Sequence, residues 1–455
     1  MSTPTSDQRS SQDWKSAWTE QFSSRISCSY TCSSRTSCSY IFLSKICYLF
    51  LHLHGFLSMT CLAQRVPNLY VFGDSIVDYG HKTRHAASMK AGYRPYGSEC
   101  IWIGAERFTN GKTIPEIIAL LLKVSPPMTI DEAWIHPQIG VNYASASAGI
   151  LPKTGTAFGK NYCMEKQINS FKETVENVLG PKFQSTEKLS EYLSNSIFLI
   201  HIGSSDYIHN YLQPDDYNSS RQYNGKKFAE LLTSKLGNYL KDLYDLGARR
   251  ILIFQVGPLG CFPYIINKVK PRSRCAEDVN KLVSGFNDKL NAKLIELTKT
   301  LHGSKFVTVK TFNLIRSMIQ NPTDYGFEDT RWQCCPTQEN GTGLCKEPII
   351  HEVSPAEMPM PDQEEIRRGF RRSFACLDVS PGKFSRIGIG KPRKDLCDDR
   401  KLYIFWDELH LTEAAYKIIV DKCFAISDNI CSPPNILANM VEKIIVPDSC
   451  MFHQY

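Results

Sequence analysis

The chain has 455 residues, 42% of them hydrophobic, with 17 cysteines and a formal net charge of +7. That length is ample for one large core and could hold two domains. The positive charge does not gather into a basic stripe with interleaved aromatics, so no nucleic-acid partner is expected, and the cysteine count points away from a reducing compartment.

Residues 1–40 are rich in Ser, Thr and Arg, with Ser-Cys-Ser-Tyr at 27–30 and again at 37–40. Residues 46–63 are largely apolar, follow Lys45, and end with Cys61 and Ala63 at the −3 and −1 positions of a possible cut. This is the pattern of a secretory signal peptide ending near Ala63, too short for a confident membrane span; a signal anchor is the alternative. Residues 1–63 are therefore read as an extension plus signal or anchor, 66–431 as one domain, and 432–455 as a tail. From Val66 onward short apolar runs alternate with longer amphipathic ones. Strands are expected over Leu69–Phe72, Val141–Tyr143, Ile197–Ile202, Ile251–Val256 and Phe306–Val309. Helices are expected over Ile114–Val124, after Asn110-Gly111 and with Pro115 near its start, over the stripe Phe228 to Leu243 ending at Gly247, over Ala276–Leu301 and over Leu411–Ile426. Such alternation predicts an α/β/α domain, a doubly wound parallel sheet of flavodoxin type. Residues 346–396, with six prolines and Arg367, Arg368, Arg371 and Arg372, break the rhythm and read as an insertion within it.

Two runs carry chemistry. Val71-Phe72-Gly73-Asp74-Ser75 delivers a serine at a sharp turn after a strand, and Asp407-Glu408-Leu409-His410 sets an acid three residues before a histidine. A serine hydroxyl needs an adjacent base to become a nucleophile, and the base needs a group to orient it. Ser75, His410 and Asp407 are the candidates for those roles. Ser75 and the Gly203–Asp206 turn both fall at carboxyl ends of expected strands, where such sheets collect their functional groups.

The spaced runs Phe72-Gly73-Asp74-Ser75 with Asp78, Gly203-Ser204-Ser205-Asp206 and Asp407-x-x-His410 resemble the blocks of the GDSL (SGNH) esterase/lipase family, the secreted plant branch fitting best. Arg107-Phe108-Thr109-Asn110-Gly111-Lys112-Thr113, Gly140-Val141-Asn142-Tyr143-Ala144-Ser145 and Val256-Gly257-Pro258-Leu259-Gly260-Cys261 are similar to that branch too. The resemblance implies a secreted carboxylic-ester hydrolase with Ser75, Asp407 and His410 as catalytic triad, an acyl-ester or lipid substrate, and no cofactor. It implies an oxyanion hole built from the backbone of Ser75 and of the Ser147–Gly149 loop, with Ser205 at the third position. There the family carries asparagine, and a serine hydroxyl is shorter than an amide; loss of one oxyanion donor typically slows turnover by about 10²–10³-fold. Tyr79 and His81 also stand where the plant branch usually has asparagine. An impaired member acting as a secreted binding protein, and an acyltransferase using the same triad, stay open as alternatives.

Asp74, Asp78 and Asp206 read as turn-ordering groups rather than metal ligands, and paired C-x-x-C spacing is absent, so no metal is expected. His201 reads as a residue packed at a strand end. Cys261 with Cys275, and Cys334 or Cys335 with Cys345 or Cys397, are disulfide candidates whose connectivity the sequence leaves open. Asn218 and Asn340 head glycosylation sequons.

Overall fold

The apolar runs expected as strands form the middle of one sheet in a computed structural model that describes residues 68–80, 89–100, 107–130, 139–347, 396–425 and 430–433. These all belong to the unit Arg65–Ile445. The amino-terminal extension and signal segment, His81, nearly all of the 346–396 insertion and nearly all of the 432–455 tail lie outside the described residues. In chain order the strands are β1 (Leu69–Gly73), β2 (Met128–Thr129), β3 (Val141–Asn142), β4 (Ile197–His201), β5 (Arg250–Phe254), β6 (Lys305–Val309), β7 (Asp329–Gln333), β8 (Tyr403–Phe405) and β9 (Cys431–Ser432). Seven of them make the main sheet in the order β2-β3-β1-β4-β5-β6-β9, while β7 and β8 pair separately. Every neighbour pair of the main sheet is parallel except β6 with β9.

The five long-expected strands thus run in the order β3-β1-β4-β5-β6, the flavodoxin-like arrangement. The chain leaves β1 toward one edge and returns to build β4, β5 and β6 on the other side. The crevice above the β1–β4 boundary is the topological switch point, where open α/β sheets place their sites. Full pairing holds β1 to β4, from Leu69 opposite Ile197 to Gly73 opposite His201.

Both faces of the sheet are covered, which is why its strands read as unbroken apolar runs rather than alternating ones. On one face Phe171 from the helix Met164–Thr174 packs its ring against Tyr70 and Phe72 of β1 and Phe198 of β4. The long helices Gly225–Asp245 and Glu277–Thr300 bury the stripes expected of them, including Leu232, Leu236 and Leu243 on the first and Val283, Phe286 and Leu290 on the second. The first ends where the sequence places its stop: Gly247 has φ +112°, and the N–H of Ala248 reaches back to the carbonyl of Leu243 at 2.9 Å. Helices Met164–Thr174, Thr186–Asn195, Pro263–Val269 and Thr311–Gln320, and the strands β2, β7, β8 and β9, are found only in the structure.

Gly73 is the fixed point of the sheet's functional end. Its φ is +150°, and a Cβ there would lie 2.0 Å from the carbonyl oxygen of His201. Gly73→Ala should therefore lower the melting temperature by more than about 5 °C, through a clash with backbone as well as strain. A thermal melt of the variant within a degree of wild type would contradict this placement.

Candidate active site at the switch point

The turn after β1 is built almost wholly from hydrogen bonds to Gly73 and Asp74. The buried Gln167 side chain clamps Gly73, accepting from its N–H at 2.8 Å and donating to its carbonyl at 2.8 Å. The N–H of Asp74 donates to the carbonyl of His201 at 3.1 Å, and the N–H groups of Val77 and Asp78 both donate to the carbonyl of Asp74 at 3.2 Å. The Asp74 carboxylate accepts from the N–H of Ile76 at 3.2 Å and lies 2.9 Å from Nδ1 of His201. Ser75 is lifted to the tip of this turn. Among the described residues its own N–H meets no protein acceptor.

Trp406 and Asp407 follow β8 and present the second half. Asp407 folds back on its own chain: Oδ1 accepts the N–H groups of Leu409 and His410 at 2.8 and 2.7 Å. Nδ1 of His410 lies 2.9 and 2.8 Å from the two carboxylate oxygens, and Nε2 lies 2.7 Å from Ser75 Oγ. Asp407 is 0% exposed and His410 2%. The structure therefore brings together all three residues of the expected triad.

Tyr96 completes the carboxylate, donating its hydroxyl to Oδ2 at 2.6 Å, while the N–H of Cys345 donates to that hydroxyl at 2.9 Å. Burial, with the Asp407 charge beside it, pushes the Tyr96 phenol well above its ordinary range, so it remains a donor. The sequence reading missed Tyr96 and Gln167, which lie in no recognisable motif.

The segment Arg107–Lys112 pins the histidine. The ring of Phe108 lies 4.9 Å from that of His410. Thr109 donates to the carbonyl of Leu411 at 2.9 Å, and Asn110 Oδ1 accepts the N–H of Glu413 at 2.9 Å, at the start of the helix Glu413–Phe424. Gly111 lies under the Glu413 side chain, leaving no room for a Cβ. Arg107, 2% exposed, anchors the segment through a two-nitrogen contact to Glu116, which also accepts from the N–H and hydroxyl of Thr113.

A cavity opens beside Ser75. Its walls include Ile208, Leu259, Phe262, Ile315 and Leu409, with His201, Ser205, His209 and His410 among its polar groups. Ser205 thus joins Ser75 at one cavity, and its hydroxyl makes no hydrogen bond among the described residues. Ser147 and Gly149 are not among the lining residues. Ser147 holds φ +58°, a left-handed backbone that a glycine would adopt without strain, and its hydroxyl donates to the carbonyl of Ala146 at 2.6 Å. Gly149 leaves space for its neighbours: a Cβ would lie 2.4 Å from Thr154 and 2.8 Å from Asp206. Asp206, fully buried, accepts from the N–H groups of Ile150 and Leu151 at 2.7 and 3.0 Å and from Thr154 at 2.7 Å. Burial raises its carboxyl to about 6 despite those donors. Asp78 accepts from the N–H groups of Gly80 and Ala146. The three aspartates outside the triad thus order backbone turns, as the sequence suggests.

Disulfides staple the approach to Asp407. Cys334 bonds Cys397 and Cys335 bonds Cys345, which resolves the open connectivity, and Cys261 pairs with Cys275 as expected. Cys423–Cys431 was not foreseen. The N–H groups of Cys334 and Cys335 donate to the carbonyls of Phe405 and Trp406, so the bridges fix the residues just before the acid. Asn218 and Asn340 are both exposed.

The model of the GDSL-like lipase/acylhydrolase family matches residues 69–423. The chain belongs to that family. It is 35% identical over 378 residues to GDSL esterase/lipase 7 of Arabidopsis thaliana, covering 81% of this chain and 91% of the relative. Two other Arabidopsis thaliana proteins named as GDSL esterase/lipases are 33% identical over 365 residues (78% of this chain, 88% of the relative) and 32% over 382 (82% and 92%). The family match takes in the turn at Ser75, the turn at Ser205 and the Asp407–His410 run alike.

Tyr96→Phe removes one donor from a buried, charged acceptor, an interaction of about 1.5–3 kcal/mol. Its kcat on a soluble ester should fall about tenfold with KM little changed, and steady-state kinetics of the variant will check this.

Proposed function

We propose that this chain is a secreted serine esterase that hydrolyses carboxylic esters through an acyl-enzyme on Ser75. The observation that carries the reading is the unbroken line Ser75 Oγ, His410 Nε2, His410 Nδ1 and the Asp407 carboxylate, with contacts of 2.7 to 2.9 Å. As His410 Nε2 takes the proton from Ser75, Oγ attacks the ester carbonyl. Asp407 keeps Nδ1 protonated and stabilises the imidazolium that forms. The tetrahedral intermediate collapses as His410 returns its proton to the departing alcohol, leaving the acyl group on Ser75. Water, deprotonated by the same imidazole, then attacks the acyl carbon and releases the acid.

The free N–H of Ser75 supports its role as one oxyanion donor. The apolar walls at Ile208, Leu259, Phe262 and Ile315 suit the acyl chain. A binding protein without activity has no need of a histidine, an acid and a tyrosine held in hydrogen-bonding register behind the serine. Four disulfides among the described residues, two exposed sequons and the apolar segment ending near Ala63 support secretion. No helix among the described residues is long and apolar enough to cross a membrane.

A fluorophosphonate probe should label Ser75, and the label should vanish in Ser75→Ala. His410→Ala should cut p-nitrophenyl ester hydrolysis by at least about 10³-fold. A folded wild-type protein that neither labels nor hydrolyses would return the reading to a binder. On expression in a eukaryotic secretory host, the protein should enter the medium with an amino terminus near Gln64 and lose mass on deglycosylation. Retention in the membrane fraction would favour the anchor instead.

A further inference from the structure

Ser205 and His209 stand four residues apart on the helical stretch after β4, a short turn over Ser204–Asp206 that widens into a π-type turn over Tyr207–Tyr211. The backbone departs from helical values at His209 (φ −108°, ψ 21°), and both side chains line the cavity with Ser75 and His410. His209 is 5% exposed, and its Nδ1 is sealed without a partner. Neither ring nitrogen hydrogen-bonds to a protein group among the described residues. Its plane is set by Phe158, ring to ring 4.9 Å and edge-on, with Tyr264 at 6.5 Å.

A buried polar side chain without a partner is rare in folded proteins and asks for an explanation. Here it stands in the wall of the reactive cavity. A sealed lone pair on Nδ1 costs less than a sealed N–H there, so the proton belongs on Nε2, the nitrogen not closed off. Burial, reinforced by nearby His410, lowers the His209 pKa to about 4. At neutral pH the ring is then an uncharged N–H donor, a state in which imidazoles serve as electrophiles toward carbonyl oxygens. It adds no positive charge to compete with the imidazolium forming on His410.

We propose that His209 donates its Nε2–H to the ester carbonyl oxygen as that oxygen becomes an oxyanion, supplying the donor that the short Ser205 side chain does not bring. The inference rests on the acyl-enzyme reading above. The imidazole is longer than the serine side chain and lines the same cavity as Ser75 and Ser205. A donor aimed at charge that develops only in the transition state acts on kcat rather than KM.

The test uses the full-length protein and p-nitrophenyl butyrate, with kcat and KM determined separately and folding checked by thermal melts. His209→Ala should lower kcat by about 10²-fold with KM within about threefold, and His209→Gln, which keeps an N–H donor, should recover most of the loss. Ser205→Asn should raise kcat far more in the His209→Ala background than in the wild type, because there it restores the only missing donor. His209→Phe, which keeps a ring and removes the donor, is read in the same way should the alanine variant not fold. A His209→Ala kcat within threefold of wild type overturns the proposal. So does a loss that Ser205→Asn leaves untouched, since His209 would then act elsewhere. If wild type itself fails to label at Ser75, it is the acyl-enzyme reading that falls, an outcome distinct from either of these.

Discussion

A contact of 2.7 Å between Ser75 Oγ and His410 Nε2 joins residues 335 positions apart in the chain, and much of the structure exists to hold it. One partner rides on a buried parallel strand, the other on a loop between β8 and the last long helix. Neither side chain can find the other from local geometry. The burial of β1 between β3 and β4 fixes the serine to the sheet. The Arg107–Lys112 segment, the Tyr96 hydroxyl and two disulfides then fix the histidine to the serine's turn. A general base works only within hydrogen-bond reach of the proton it removes, so an error of an ångström in any of these supports would reach the chemistry.

The same site shows how buried carboxylates are made tolerable. An unpaired charge in the interior costs several kcal/mol. Asp407 meets this with two backbone N–H groups, an imidazole and a phenol. Asp206 has two backbone N–H groups and one hydroxyl and still stands at about 6, raised by burial. Asp74 holds a backbone N–H and His201. Each carboxylate draws a loop into one conformation through the groups that donate to it, although Oδ2 of Asp74 stays buried without a partner. Turn order and electrostatic balance are therefore one set of bonds, and removing an aspartate here would loosen backbone as well as alter charge.

Much of this was legible beforehand, and the pattern of what was missed is physical. Strands buried on both faces announce themselves as continuous apolar runs, and the helices of 21 and 24 residues offered enough turns for their stripes to stand out. Two-residue strands such as Met128–Thr129 carry no periodicity at all. The triad could be read because its residue types are few and its acid and base are only three apart. Gln167 and Tyr96 could not, because their partners lie 94 and 311 positions away. The oxyanion loop leaves little trace in the sequence for a related reason. Ser147 is held at positive φ, which depends on its surroundings rather than on its identity.

The bond between Cys334 and Cys397, 63 positions apart, has a consequence for how this chain tolerates added sequence. The N–H of Cys334 donates to the carbonyl of Phe405, two residues before the acid, and that of Cys397 to the carbonyl of Cys334, so sequence lying between the two cysteines leaves and returns at one fixed place. The entropy of closing a flexible ring rises only with the logarithm of its length, roughly 0.6 kcal/mol for each doubling. Sequence can be spliced into such a tethered ring, or trimmed out of it, at almost no thermodynamic penalty and without displacing the reactive groups. The bridge thus marks a seam at which new surface can be grown over an unchanged engine.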